Sequence, residues 1–88
     1  MRVTEIEIYS DAGNGAVMRH PDRKFPGVLI QGDTLHNLCH QAGQACEKIS
    51  PNSPGYDELN EMRLTLRSWL NHYKATLIEH KIPLPFYE

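Results

Sequence analysis

Residues Phe25 to Ile49, FPGVLIQGDTLHNLCHQAGQACEKI, constrain the fold most, because they lead a strand through a Gly-Asp corner into an amphipathic helix. Val28, Leu29 and Ile30 show no polar alternation before Gln31, the pattern of a strand that is central or covered on both faces. Leu35, Leu38, Cys39, Ala42, Cys46 and Ile49 then fall on one narrow stripe at about 100° per residue. This predicts a helix over 34–49. Asp33 or Thr34 is placed as its N-cap, where a side-chain oxygen accepts the free N–H groups of the first turn.

The flanking segments complete the pattern. Residues 2–9 alternate as a strand does, with Thr4, Ile6 and Ile8 on one face and Glu5 and Glu7 on the other. Asp11-Ala12-Gly13-Asn14-Gly15 is a turn cluster, since Gly and Asn tolerate positive φ. Strands over 16–20 and 27–31 follow, separated by a loop at Pro21–Lys24. Ser50 to Gly55 breaks the first helix, with Ser53 as cap and Pro54 at the first position of a second helix over 54–80. Leu59, Met62, Leu66, Trp69, Leu70, Tyr73 and Leu77 form its expected buried stripe, edged by Arg63, Arg67 and Lys74. Pro83 and Pro85 impose an extended tail over 81–88. The expected fold is α+β in one domain, 1–88: a small three-stranded antiparallel sheet, β-β-β-α-α, with an antiparallel helical hairpin packed on one face.

Charge and composition exclude several functions. Nine Lys and Arg against eleven Asp and Glu, a net charge of −2, do not suit a protein that neutralises nucleic-acid phosphates. The run His20-Pro21-Asp22-Arg23-Lys24 is interrupted by Asp22, lacks an aromatic platform and reads as a solvated loop. No apolar run approaches the roughly 20 residues that span a bilayer, and MRVTEIEIY does not read as a signal peptide. Cys39 and Cys46, seven residues apart on one helix, lie roughly 10 Å apart along its axis. Disulfide geometry requires Cα atoms within about 7 Å. Two free thiols without an export signal point to the cytoplasm.

His36, Cys39 and His40 are the sharpest chemical cluster. His36 and His40 stand i, i+4 apart, as in HxxxH metal sites, and are weak metal candidates. A metal there would need a further ligand such as His20 or His80, and outward-facing histidines are the simpler reading. Cys39 and Cys46 lie away from the helix N-terminus that would lower a thiol pKa, and read as small core residues. The loop Ser10–Gly15 lacks the Lys and Ser/Thr of a phosphate-binding loop, and Asp33 has no partner that would make it a general base. No motif calls for a cofactor, and none marks an enzyme.

Apolar material is left over: Leu64 and Ile78 lie outside the second helix's stripe, while Val3, Tyr9, Val17 and Leu29 alternate away from the expected core face. The Phe86-Tyr87 tail is expected to cover part of the sheet's second face, and a protein partner or second copy the rest.

With EIYSDAGNGAVMRHPDRKFPGVLIQGDTLHNLC and the closing Pro83-Leu84-Pro85-Phe86 in view, the chain resembles a family of small bacterial proteins of unknown function. The resemblance spans nearly the whole chain, and its motifs are architectural. Small acidic cytoplasmic proteins of this kind look like immunity proteins, which bind and block a cognate toxin. The sequence reading is therefore a non-enzymatic protein-binding module, an immunity-like inhibitor. The protein-binding candidates are His36, His40, Glu47, Asp11, Asn14, Arg63 and Arg67. The alternatives are a small metal-binding protein or metal-dependent enzyme using His36 and His40, or a homodimeric structural or regulatory protein joined through sheet faces or edges.

Overall fold

The computed structural model describes residues 1–87; Glu88, the end of the expected tail, lies outside the described residues. Five elements follow one another: β1 (Glu7–Ser10), β2 (Gly15–Arg19), β3 (Gly27–Ile30), α1 (Gly32–Lys48) and α2 (Tyr56–Glu79). A three-stranded antiparallel sheet followed by two mutually packed helices is the α+β order read from the patterning. The chain divides into two compact units, a sheet unit of residues 1–31 and a helical unit of residues 32–88.

In the sheet unit the strand order is β1-β2-β3, so β2 is central and β3 lies at an edge. The apolar run Val28-Leu29-Ile30 is therefore not a central strand. Two successive short connections build a meander, in which order along the chain is also order in space. Glu7 faces Arg19, Ile8 faces Met18 and Ser10 faces Val17, with a bulge between Ile8 and Ser10. Ala16 faces Leu29, Val17 faces Val28 and Met18 faces Gly27. Opposed residues share a face. Ile8, Ala16, Met18 and Leu29 therefore occupy one face, and Glu7, Val17, Arg19 and Val28 the other. Leu29 thus sits on the Ile8 face and not on the opposite one, as its alternation had implied.

β1 is shorter than the alternation over 2–9 predicts. Its first residue, Glu7, pairs with Arg19, the last residue of β2. Beyond that point His20 leads into Pro21, which has no N–H to offer a ladder. Glu7 accepts a hydrogen bond from Arg19 Nε and forms an ion pair with its guanidinium, which raises the Arg19 pKa. Gly13, at φ 75°, supplies the left-handed residue of the β1–β2 turn.

In the helical unit the buried apolar side chains are Leu35 and Cys39 of α1 and Leu70 of α2. Leu59, Leu66, Tyr73 and Leu77 are half-buried on the same side of α2 as Leu70. Met62 and Trp69, expected in that stripe, are 61% and 55% exposed. At about 100° per residue they stand some 60–80° around the helix from the line of Leu59 and Leu77. A single antiparallel partner helix covers only the arc that faces it.

The helix ends also differ from the capping signals. α1 begins at Gly32, one residue before the expected cap, and Asp33 Oδ1 accepts the N–H of Thr34 at 2.9 Å. Gly32 is buried, and a Cβ there would overlap the Tyr73 ring. The glycine thus permits close approach of α2. α2 begins at Tyr56, with Gly55 at φ 83° as its N-cap and no side-chain cap. Ser53 instead closes turns, through Ser53 N–H to Ser50 C=O at 2.9 Å and Tyr56 N–H to Ser53 C=O at 3.2 Å. At the other end Ile82 N–H reaches Leu77 C=O at 2.8 Å and Lys81 N–H reaches Ile78 C=O at 3.1 Å. This is the Schellman pairing, with Lys81 at φ 58° where glycine is usual.

Two stability changes are expected. Gly32→Ala forces a methyl group into Tyr73 and lowers stability in urea unfolding by about 1–3 kcal/mol. A Gly32→Ala, Tyr73→Ala double variant loses less than the sum of the two single losses. Lys81→Gly relieves the left-handed strain and raises stability by about 1 kcal/mol, read as an increased Tm in thermal unfolding.

Candidate functional site

The antiparallel pairing of α1 and α2 brings together residues that are distant in the chain. At 3.6 residues per turn, His36, His40, Gly43 and Glu47 form a row along α1, and Arg63, Arg67 and Lys74 a row along α2. Both rows lie on the same rotational side of their buried stripes, so antiparallel packing sets them along one flank of the hairpin. Two hollows mark that flank. One, of about 250 Å³, is lined by His36, Cys39, His40, Arg67, Leu70, Asn71 and Lys74. The other, of about 360 Å³, is lined by Gly43, Cys46, Glu47, Tyr56, Arg63 and Arg67. Arg67 belongs to both.

Five of the seven sequence candidates, His36, His40, Glu47, Arg63 and Arg67, are gathered here. Asp11 and Asn14 are exposed in the β1–β2 turn, within the sheet unit. Among the described residues lining the two hollows, Glu47 is the one carboxylate beside the guanidinium groups of Arg63 and Arg67, so this part of the flank is cationic in a chain of net charge −2. Arg63 is half-buried and held by Asn60, whose Oδ1 accepts from its Nε at 3.0 Å and its Nη2 at 2.8 Å. That local bond fixes the guanidinium in place. Arg67 and His40 are exposed.

His36 is half-buried because the tail reaches it. The Phe86 ring stacks on the His36 ring with centroids 4.1 Å apart and planes 13° from parallel, and Tyr73 lies tilted at 6.5 Å from Phe86. Phe86 of the tail is thus held against the helical hairpin. Prolines at 83 and 85 keep this segment extended. Stacked aromatic pairs contribute about 0.5–1.5 kcal/mol beyond their buried area. The contact leaves one face of the imidazole covered. Among the described residues no group of three or more His, Cys, Asp or Glu side chains is disposed to hold a metal ion.

Cys39 and Cys46 are free thiols, the first buried and the second half-buried. Burial pushes the Cys39 thiol up, and the neighbouring Arg67 and Lys74 charges offset this only in part. A thiol held protonated is a poor nucleophile.

The loop read as solvated contributes a third hollow. Arg23, Lys24 and Phe25, with Ile6, Met18, Gly27, Val28, Leu29 and His20, line about 600 Å³ in the sheet unit. No spacing signal marked it, because its residues meet only once the β2–β3 connection has folded. Each row of the hairpin flank carried such a signal, i, i+4 spacing in His36/His40 and in Arg63/Arg67, but the spacing does not say that the two rows face the same way. Sequence patterning puts Lys74 on the same edge as Arg63 and Arg67 without marking it as a binding candidate, and gives no sign of Tyr56 and Asn71.

Alkaline titration tests the Cys39 environment. An acid whose folded pKa is raised keeps its proton when the unfolded chain releases it, so stability declines with rising pH above the ordinary thiol pKa of about 8.5. Urea unfolding from pH 7 to 10 is expected to show this decline, and a smaller one in Cys39→Ala.

Among the described residues no helix is long and apolar enough to cross a membrane. No curated protein and no solved structure matches the chain. Residues 1–86 match the model of a family of unknown function, DUF6959, and the chain belongs to that family.

Proposed function

We propose that this protein is a non-enzymatic protein-binding module that docks the cationic flank of its helical hairpin onto an acidic surface of a partner. The observation that supports this reading is the convergence of Arg63, Arg67, His36 and His40 along two adjoining hollows, with Glu47 as the carboxylate among the described lining residues. Clustered like charge accelerates encounter with an opposite surface and sets orientation.

In its narrower form the proposal takes the partner to be a bacterial toxin, and this protein its immunity-like inhibitor. It would act in the cytoplasm, where Cys39 and Cys46 stay reduced. Occlusion needs only a stable surface set across the partner's site, with no bond made or broken by this chain.

The test is co-expression with the product of a neighbouring gene, scored for growth rescue and for co-purification. Arg67→Glu combined with His40→Glu is expected to weaken association by about tenfold or more, a change of about 1.4 kcal/mol. The wild-type association should also weaken as salt rises. Rescue that survives loss of His36, His40, Glu47, Asp11, Asn14, Arg63 and Arg67 together would overturn the assignment of the interface.

A further inference from the structure

A second surface lies in the sheet unit and does not rest on the reading of the hairpin. β3 is an edge strand, so the row of backbone N–H and C=O groups on its outer side pairs with no strand among the described residues. Native sheets protect such edges with charge, proline within the strand or a bulge. Gly27-Val28-Leu29-Ile30 carries none of these and pairs regularly with β2; its protection is its length, four residues, with Pro26 just before it. Val28 is 64% and Phe25 72% exposed. On the sheet face that carries Met18 and Leu29, these two with Ile6 and Phe25 give the 600 Å³ hollow an apolar floor that reaches β3.

The rim of the hollow is cationic. Arg23 and Lys24 line it, and neither forms an ion pair with a described carboxylate. The nearest carboxylate in sequence, Asp22, lies 3.7 Å from Arg2 and 3.9 Å from His20. Lys24 Nζ sits over the Phe25 ring at 5.5 Å, which holds its charge at the apolar border. Open backbone groups, an apolar floor and two cations at one end together describe the complement of a single kind of ligand.

We infer that β3 is a docking edge for an extended segment of a partner protein. That segment adds as a fourth strand, sets alternate apolar side chains over Leu29 and the hollow, and places a carboxylate against Arg23 and Lys24. Strand addition takes its affinity from main-chain hydrogen bonds and its specificity from pockets for alternate side chains. The exposed edge favours a peptide over an anionic membrane, because lipid has no backbone to satisfy the row of N–H and C=O groups.

The experiment uses the full chain, labelled with ¹⁵N, and two synthetic peptides alternating valine and threonine. One peptide ends in a glutamate pair and the other in a lysine pair. The glutamate peptide is expected to slow hydrogen exchange at the amides of residues 27–30 that point away from β2. It should also bind about tenfold more tightly than the lysine peptide. Arg23→Glu with Lys24→Glu, confined to an exposed loop, should reverse that preference, and Leu29→Asp should abolish protection by either peptide. Equal binding of both peptides, or no protection from either, overturns the inference. So does binding to phosphatidylserine vesicles without peptide binding. Edge protection that grows with protein concentration in the absence of peptide assigns β3 to a second copy instead. None of these substitutions touches the hairpin flank, so failure here and failure of the proposed function are read separately.

Discussion

The apolar seam between α1 and α2 is the contact on which the candidate site depends. Leu35 and Cys39 meet the side of α2 that carries Leu70, and Gly32 lets the Tyr73 ring come close where a methyl group would collide. Because the helices run antiparallel, a seam fixed along one stripe also fixes what lies on either side of it. The His36–Glu47 row and the Arg63–Lys74 row must share a flank. Neither row is a site alone; the seam makes them one.

That arrangement separates the two kinds of surface that protein recognition uses. The flank with Arg67 at its centre is polar and charged, suited to steering and orientation. Around α2 from it, Met62 and Trp69 stay exposed because the partner helix is too narrow to cover them. In the sheet unit the same economy leaves β3 with an open edge and an apolar hollow bordered by Arg23 and Lys24. Among the described residues three apolar side chains are buried, few for a chain of this length, and much apolar surface is left facing outward.

Local patterning carried well where neighbours in sequence are neighbours in space. The 3.6-residue stripe of Leu35, Cys39, Ala42 and Cys46 predicts α1, and the turn cluster at Gly13 and Asn14 predicts the first hairpin. The free state of Cys39 and Cys46 follows from helical rise alone. The pattern failed where position depends on partners. An unbroken apolar run reads the same on a central strand and on an edge strand, so Val28-Leu29-Ile30 carried no sign of its place. Met62 and Trp69 fit the periodicity of a buried stripe, but the width of the covered arc is set by how many elements pack against the helix.

What the sequence determined by itself is therefore the set of elements and their order: three strands and two helices, each encoded by short-range periodicity and turn chemistry. It also named His36, His40, Glu47, Arg63 and Arg67 of the hairpin flank, since His and Arg at helical spacing are visible in one dimension. Only the tertiary structure decided which of those rows face the same way, that Phe86 stacks on His36, and that Arg23 and Lys24 border an apolar hollow. These are relations between residues far apart in the chain. They arise from the sense of helix packing and the path of a loop, which no local pattern records.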